Sequence, residues 1–452
     1  MWASKTDRPV TVIESEDRVV WPYAREYEQD GVPVPEAPSD VFATGLDRGF
    51  LCDLILKTAH RVPRCTTQWV ATQLHLPIPV TEDLLMGMRK DNLVEVLGLE
   101  GLLNHRYAVT GRGHERALRL LETSSYVGPA PVTLESYTAM LDVQIHQFPD
   151  ATYADVRAAL ADLVLPPEDV TIAAAATLSQ RSLFLFGPSG NGKTSIARSL
   201  HNALQGELWI PYCVSVGSDV IQLFDSHVHH ESNFTVTEPW KADGRWVRIQ
   251  RPLVVTGGEM TIDSLELQTG TGVGVYEFPL HVKANGGVFV IDDFGRQRVD
   301  PWSLLNRWVI PMEHGFDYLV LNNGRKVTVP YQQLMIVATN IDPEKVMDPA
   351  FLRRMGYRVC VSAPSPDQYR EIFENHARRC RVNVPPGLMD RLLEKYADEG
   401  RELRACEPRD LIGRARDICL LYKQELILSE EILKIAWCGY FGTKLKTISE
   451  RG

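Results

Sequence analysis

Between Leu183 and Leu200 the sequence reads apolar strand, glycine-rich loop and helix, a succession that few folds use. The strand is Leu183–Phe184–Leu185–Phe186, and the helix continues through Ser195–Ile196–Ala197. The loop between them, Gly187–Pro188–Ser189–Gly190–Asn191–Gly192–Lys193–Thr194, fits G-x-x-x-x-G-K-[ST]. Its glycines leave no side chain between backbone N–H groups and the oxygens of a phosphate. The helix behind turns its positive dipole end toward the same anion. Lys193 supplies a point charge for the β- and γ-phosphates, and the Thr194 hydroxyl can ligate Mg²⁺. Gly187, Pro188, Ser189, Gly190, Asn191, Gly192, Lys193, Thr194 and Ser195 are therefore the expected nucleotide-binding residues. The competing reading is an accidental glycine-rich turn. It loses weight because the flanking strand and helix are both in place.

A second station lies 99 positions after Lys193 (292 − 193). Gly286–Gly287–Val288–Phe289–Val290–Ile291–Asp292–Asp293 is an apolar strand ending in two carboxylates. That is the form of a Walker B segment, with Asp292 in the Mg²⁺ shell and Asp293 orienting or deprotonating the attacking water. Taken alone, two turn-forming aspartates at a strand end would explain it. Downstream of a phosphate loop, the metal and the water explain it better.

From here the chain resembles an AAA+ ATPase, over about residues 165–445. Gln333–Leu334–Met335–Ile336–Val337–Ala338–Thr339–Asn340 resembles the fourth core strand, which ends in the sensor-1 residue, here Asn340. Asp348–Pro349–Ala350–Phe351–Leu352–Arg353–Arg354 resembles the segment that supplies an arginine finger to a neighbouring subunit, without deciding between Arg353 and Arg354. Glu407–Pro408–Arg409–Asp410–Leu411 resembles the sensor-2 motif, with Arg409 reaching the phosphates. The stretch 284–295 is similar to enhancer-dependent transcription activators. Residues 296–315, with Pro311–Met312–Glu313–His314–Gly315, are similar to MoxR-type ATPases. A hairpin, Tyr318–Leu321 against Lys326–Val329 around Asn322–Asn323–Gly324, would be the insertion before sensor 1. The resemblance implies ATP and Mg²⁺ as cofactors, ATP hydrolysis to ADP and phosphate, and a homo-oligomer, expected to be a hexameric ring. One departure stands out: the usual Glu after the Walker B Asp is Asp293, which implies slow turnover.

The resemblance sets the organisation expected of the 452 residues: an α/β, P-loop AAA+ parallel-sheet core at 165–363 and a helical lid at 364–452. Residues 1–44 read as an extended or disordered arm, because 1–40 hold nine acidic residues, four basic ones and five prolines. Residues 45–123 resemble a winged helix-turn-helix domain, a small α+β unit, and 124–164 a helical linker. The insert at 214–280 holds apparent extra strands and a glycine-rich, Tyr276-bearing loop, readable as a pore-facing loop or as a surface hairpin. Asp225, His227 and His229 would share one face of a strand, a geometry open to a metal, but no distal Cys or His cluster completes it.

Charge weighs the function classes. Lys plus Arg is 48 against 58 for Asp plus Glu, a net of −10, which excludes a surface built throughout to grip nucleic acid. Residues 41–123 carry ten basic and nine acidic residues, and Glu82–Asp83 open the helix that would enter a major groove. A protein partner, of unknown identity, is therefore favoured for the winged-helix-like domain over nucleic acid. A P-loop kinase of a small molecule is disfavoured by the sensor and finger segments. The eight scattered cysteines, lacking a C-x-x-C pair, and the absence of a long apolar run suggest a cytoplasmic protein without a membrane span.

Overall fold

The computed structural model describes residues 26–29, 32–100, 104–147, 151–270, 272–343, 353–423, 425 and 428–443. They divide into two compact units. The first runs through Val143 and takes back Pro211–Val220 and Thr235–Trp246; the second holds Gln144–Ile210, Ile221–Phe234 and everything from Val247 onward. Among the described residues no helix is long and apolar enough to cross a membrane.

The first unit opens on an antiparallel hairpin, β1 (Glu26–Gln29) and β2 (Val32–Pro35), within the segment expected to be an arm. The Asp30–Gly31 dipeptide between the strands is a strong two-residue hairpin signal that the proline content masks. Helices α1 (Arg48–Ala59), α2 (Thr67–Leu74) and α3 (Ile78–Lys90) follow, with β3 (Cys65–Thr66) before α2. Side-chain caps set two of the starts: Asp47 accepts from the Phe50 amide and Thr66 from that of Trp69. The apolar pattern places Leu93 and Val94 on the α3 face. Instead Asn92 takes a left-handed backbone, the helix ends, and Val94 begins β4 (Val94–Leu99). Strand β5 (His105–Val109) pairs antiparallel with β3 and β4, and α4 (Gly111–Thr123) closes the segment. One core joins them, including Leu51, Leu54, Ile55, Val70, Leu84, Leu85 and Tyr107.

Later segments return to this unit. Strand β6 (Val132–Thr133) precedes α5 (Leu134–Gln147) and pairs in parallel with β9 (Cys213–Val216). Arg245 and Asp243 form a buried ion pair at 2.8 Å. The Arg245 guanidinium also donates to the carbonyls of Thr44 at 2.9 Å and Pro131 at 3.3 Å. Every charge in that cluster is matched, as burial requires.

The second unit is an α/β fold. Its described elements begin with α6 (Tyr153–Ala159), α7 (Pro167–Ser179), β7 (Leu183–Phe186), α8 (Lys193–Asn202) and β8 (Glu207–Pro211). The former insert supplies β10 (Asp219–Gln222), β11 (Trp246–Gln250), β12 (Leu253–Thr256) and the short antiparallel pair β13 (Gln268–Thr269) and β14 (Val275–Glu277). Then come α9 (Leu280–Lys283), β15 (Val288–Ile291), α10 (Pro301–His314), β16 (Phe316–Val320), β17 (Lys326–Pro330), β18 (Leu334–Thr339) and β19 (Tyr357–Cys360). Five strands form one all-parallel sheet in the order β12, β15, β18, β7, β19. Period-two alternation covers both faces. Leu183, Leu185, Val288, Val290, Leu334, Ile336 and Ala338 enter one core; Phe184, Phe289, Ile291, Met335 and Val337 enter the other with Trp308. The first core also takes Val156 and Leu160, so the sheet's packing starts inside the segment expected to be linker.

Four helices end the described chain: α11 (Pro366–Arg379), α12 (Leu388–Asp398), α13 (Glu407–Leu421) and α14 (Glu430–Phe441). They share a core around Tyr369, Phe373, Tyr396, Leu411 and Trp437. The C-terminal part is thus helical, as expected of a lid.

Candidate nucleotide site

Parallel sheets gather ligand-binding loops at the C-terminal ends of their strands. Here β7, β12, β15 and β18 end within two residues of one another: Phe186 lies opposite Thr339, and Ile291 opposite Thr256 and Val337. The glycine-rich loop leaves β7 on that edge. Gly187, Gly190 and Gly192 all have positive φ, at 131°, 85° and 91°, so the loop can curl before α8 starts at Lys193. Among the described residues, the amide groups of Gly192, Lys193 and Thr194 find no acceptor. Free N–H groups at a helix N-terminus are what phosphate oxygens require.

Lys193 is buried, and its ammonium donates to the carbonyls of Gly187 and Pro188, both at 2.8 Å. Burial lowers its pKa, while the charges of Asp292 and Asp293 act in the opposite direction. The Thr194 hydroxyl donates to Asp292 Oδ2 at 2.7 Å, and the Asp292 amide donates to the Thr256 carbonyl at 2.7 Å. Asn340, directly after β18, donates through Nδ2 to Asp293 Oδ1 at 2.9 Å. The five residues Lys193, Thr194, Asp292, Asp293 and Asn340, separated by up to 147 positions (340 − 193), therefore meet on one sheet edge.

Asp293 has φ of 48°, in the left-handed region that costs a residue other than glycine about 1–3 kcal/mol unless its surroundings hold it. Two features hold it. The Phe294 amide donates to the Ala338 carbonyl at 2.9 Å, and the Thr339 hydroxyl donates to the Phe294 carbonyl at 2.6 Å. Gln297, 9% exposed, folds its side chain back into the loop: Oε1 accepts from the Gly295 amide at 2.7 Å, and Nε2 donates to Gly257 and Asp292 carbonyls, each at 3.3 Å.

The other expected site residues fall apart into those near the loop and those away from it. Arg409, in the first turn of α13, is exposed and pairs with its neighbour Asp410 at 3.1 Å. The loop is bonded instead by the two residues before the helix, with Arg404 beside them. The Cys406 amide donates to the Gly190 carbonyl at 2.8 Å and the Ala405 amide to Asn191 Oδ1 at 3.2 Å. A Cβ on Gly190 would lie 2.8 Å from Cys406 Sγ and 3.6 Å from Arg404 Cδ. Arg354 pairs with Glu313 of α10 at 2.5 Å, whereas Arg353 is exposed and makes no ion pair with a described residue. Asp348–Leu352 lie outside the described residues.

Two candidates in the insert resolve differently. Asp225–His229 is a turn, not a strand, so the shared face disappears. His229 accepts from the Asp225 amide through Nδ1 and contacts the Lys283 carbonyl through Nε2; burial depresses its pKa to about 4. Both ring nitrogens are occupied, which leaves no lone pair for a metal. Tyr276 is buried on β14, and its hydroxyl accepts from the Asn322 amide, so the hairpin presents no tyrosine outward.

Gln297, Arg404, Ala405 and Cys406 carry no signal in the sequence. Cys406 and Ala405 act through partners more than 200 positions away, and Gln297 through backbone groups that no side-chain spacing marks.

Residues 365–438 match a family described as a domain of unknown function, DUF8689. No curated protein matches the chain. Among solved structures, the chain is similar to a mutant of RuvB from Thermotoga maritima: 14% identity, 66% of this chain and 74% of that one, TM-score 0.36. It is also similar to NtrX from Brucella abortus in complex with ATP: 14% identity, 75% of this chain and 63% of that one, TM-score 0.39. Likenesses this distant assign no activity to the chain.

Proposed function

We propose that this chain is an AAA+ ATPase, binding ATP with Mg²⁺, hydrolysing it to ADP and phosphate, and assembling as a homo-oligomeric ring to remodel a protein partner. The single observation that carries the chemistry is the linked pair of contacts Thr194–Asp292 and Asp293–Asn340 beside a glycine-rich loop with free amides. A nucleotide fits that donor set. The amides and Lys193 face its phosphates, and Thr194 with Asp292 would hold the cation, which neutralises phosphate charge when bound. Asp293 then accepts a proton from the attacking water, and Asn340 orients either that water or the carboxylate itself. Arg353 is the better candidate to complete a neighbour's site, because Arg354 is already committed to Glu313.

Binding and turnover test this separately. Lys193→Ala should abolish binding of a fluorescent ATP analogue, because it removes the ammonium folded into the loop. Asp293→Asn should bind normally and release phosphate at least 100-fold more slowly, in the range typical for loss of a general base. Normal affinity in the first variant or normal turnover in the second removes the assignment.

A second reading, a DNA-associated regulator acting through the first unit, gains from one observation. Glu82 is turned inward to Thr67 at 2.6 Å, Tyr107 at 3.0 Å and His105 at 2.8 Å, and Asp83 is paired with Arg48 at 2.7 Å. Those carboxylates therefore repel phosphate less than their positions suggest. Exposed Leu97, Leu99 and Leu118 on the same unit still favour a protein partner. Salt-dependent binding to duplex DNA would reverse the order of the two readings.

A further inference from the structure

We infer that Gln297 is a positioning residue for the hydrolytic step, fixing the backbone of Asp293 so that its carboxylate addresses the water; this rests on the ATPase reading above. The loop 292–297 must do something unusual. It carries two consecutive aspartates out of β15, and the second is held at φ 48°, where a side chain leaves the backbone in a different direction from any strand continuation. The turn closes by a bond from the Arg296 amide to the Asp293 carbonyl at 3.0 Å. Gly295 follows at φ 93°, where any Cβ would lie 2.6 Å from Ile341 Cδ1.

Gln297 fastens this turn from inside. Its oxygen takes the Gly295 amide at 2.7 Å. Its nitrogen spans the carbonyls of Asp292 at 3.3 Å and Asp293 at 3.5 Å, and reaches the Gly257 carbonyl after β12 at 3.3 Å. The amide group uses donor and acceptor together, a combination that neither a carboxylate nor a hydrocarbon of the same length reproduces. It bonds the carbonyls of the two peptides that flank Asp293, and no expected phosphate-binding atom. Its influence is therefore on where Asp293 points and not on whether nucleotide binds. A misplacement of about 1 Å at a catalytic group is enough for a large rate loss.

The test is a double-mutant cycle read by single-turnover phosphate release from ATP, with ATP affinity and thermal midpoint measured for each variant. Gln297→Met should lower the hydrolysis rate roughly 10- to 100-fold with affinity unchanged within about threefold. In the Asp293→Asn background the same change should have no further effect, because the carboxylate it aims is already gone. Gln297→Glu keeps the acceptor for Gly295 and loses the donor, so it should also be slow; it serves if the methionine variant does not fold. Equal rate losses in both backgrounds, or a matching loss of ATP affinity, would make Gln297 a merely structural residue and overturn the inference. If Asp293→Asn itself turns over normally, the ATPase role of Asp293 fails first. If that variant stalls while both Gln297 variants stay fast, only the inference fails.

Discussion

Asp293 occupies a backbone conformation that aspartate tolerates better than longer acids do, because its short side chain can satisfy local N–H groups. On the ATPase reading proposed above, that bears on an Asp standing where the resemblance expects Glu. If reach alone limited the rate, Asp293→Glu would preserve or raise turnover. With φ at 48° and the carboxylate bonded to Asn340, the longer side chain has to overshoot its partner or unwind the turn. We expect Asp293→Glu to hydrolyse ATP more slowly than wild type and to unfold at lower temperature, by roughly 1 kcal/mol in stability. Steady-state phosphate release and a melting curve check both; a faster enzyme would show that reach is limiting. At this scale the sequence was legible wherever an element end announces itself. Lys193, Thr194 and Asp292 follow from a strand running into a glycine-rich or acidic string. Gln297 was silent because its bonds go to backbone amide and carbonyl groups, which every sequence offers equally.

The helical element that meets the glycine-rich loop does so with the turn before α13, not with its first helical arginine. The Cys406 and Ala405 amides bind the loop, and Glu407, buried, holds that turn by accepting from the Arg404 amide and the Tyr396 hydroxyl. Burial raises the pKa of Glu407, opposed by the hydrogen bond from Tyr396. From this arrangement Arg404→Ala should weaken ATP binding several-fold, whereas Arg409→Ala should leave it near wild type; titration with a fluorescent analogue distinguishes them. The reverse result would restore Arg409 to the phosphates. The Glu407–Leu411 string marks the right helix start, through Pro408 in the first turn and its acidic neighbours. It could not say which arginine faces the loop, because that depends on the rotation of the helix against the sheet. The core strands were legible for a related reason: runs buried on both faces carry their own signature. Strand β12 looked like an extra strand and proved to be the sheet edge beside β15, since pairing partners are set by the fold.

For the whole molecule, the ring assembly proposed above would have the exposed Arg353 complete a neighbour's site. An Arg353→Ala protein should bind ATP and not hydrolyse it, and Lys193→Ala should not bind. Mixed together, they should recover part of the activity through interfaces that join one intact loop to one intact finger. Co-assembly is checked by sizing under ATP, and silence in mixed rings would count against a shared site. The division of the chain was the least legible property of all, because it depends on which distant segments return. The polypeptide passes between its two units at Val143, Ile210, Val220, Phe234 and Trp246. Cutting at position 143 would therefore separate a sheet strand from its parallel partner, leave the Arg245–Asp243 pair without the Thr44 and Pro131 carbonyls, and strand 211–220 and 235–246 on the wrong fragment. A product starting at Gln144 should aggregate, and co-expressing the missing piece should rescue it. The N-terminal unit of such a chain cannot be exchanged by a single join between modules. That unit is sewn in, and any recombination that respects the fold must carry three separate stretches of sequence at once.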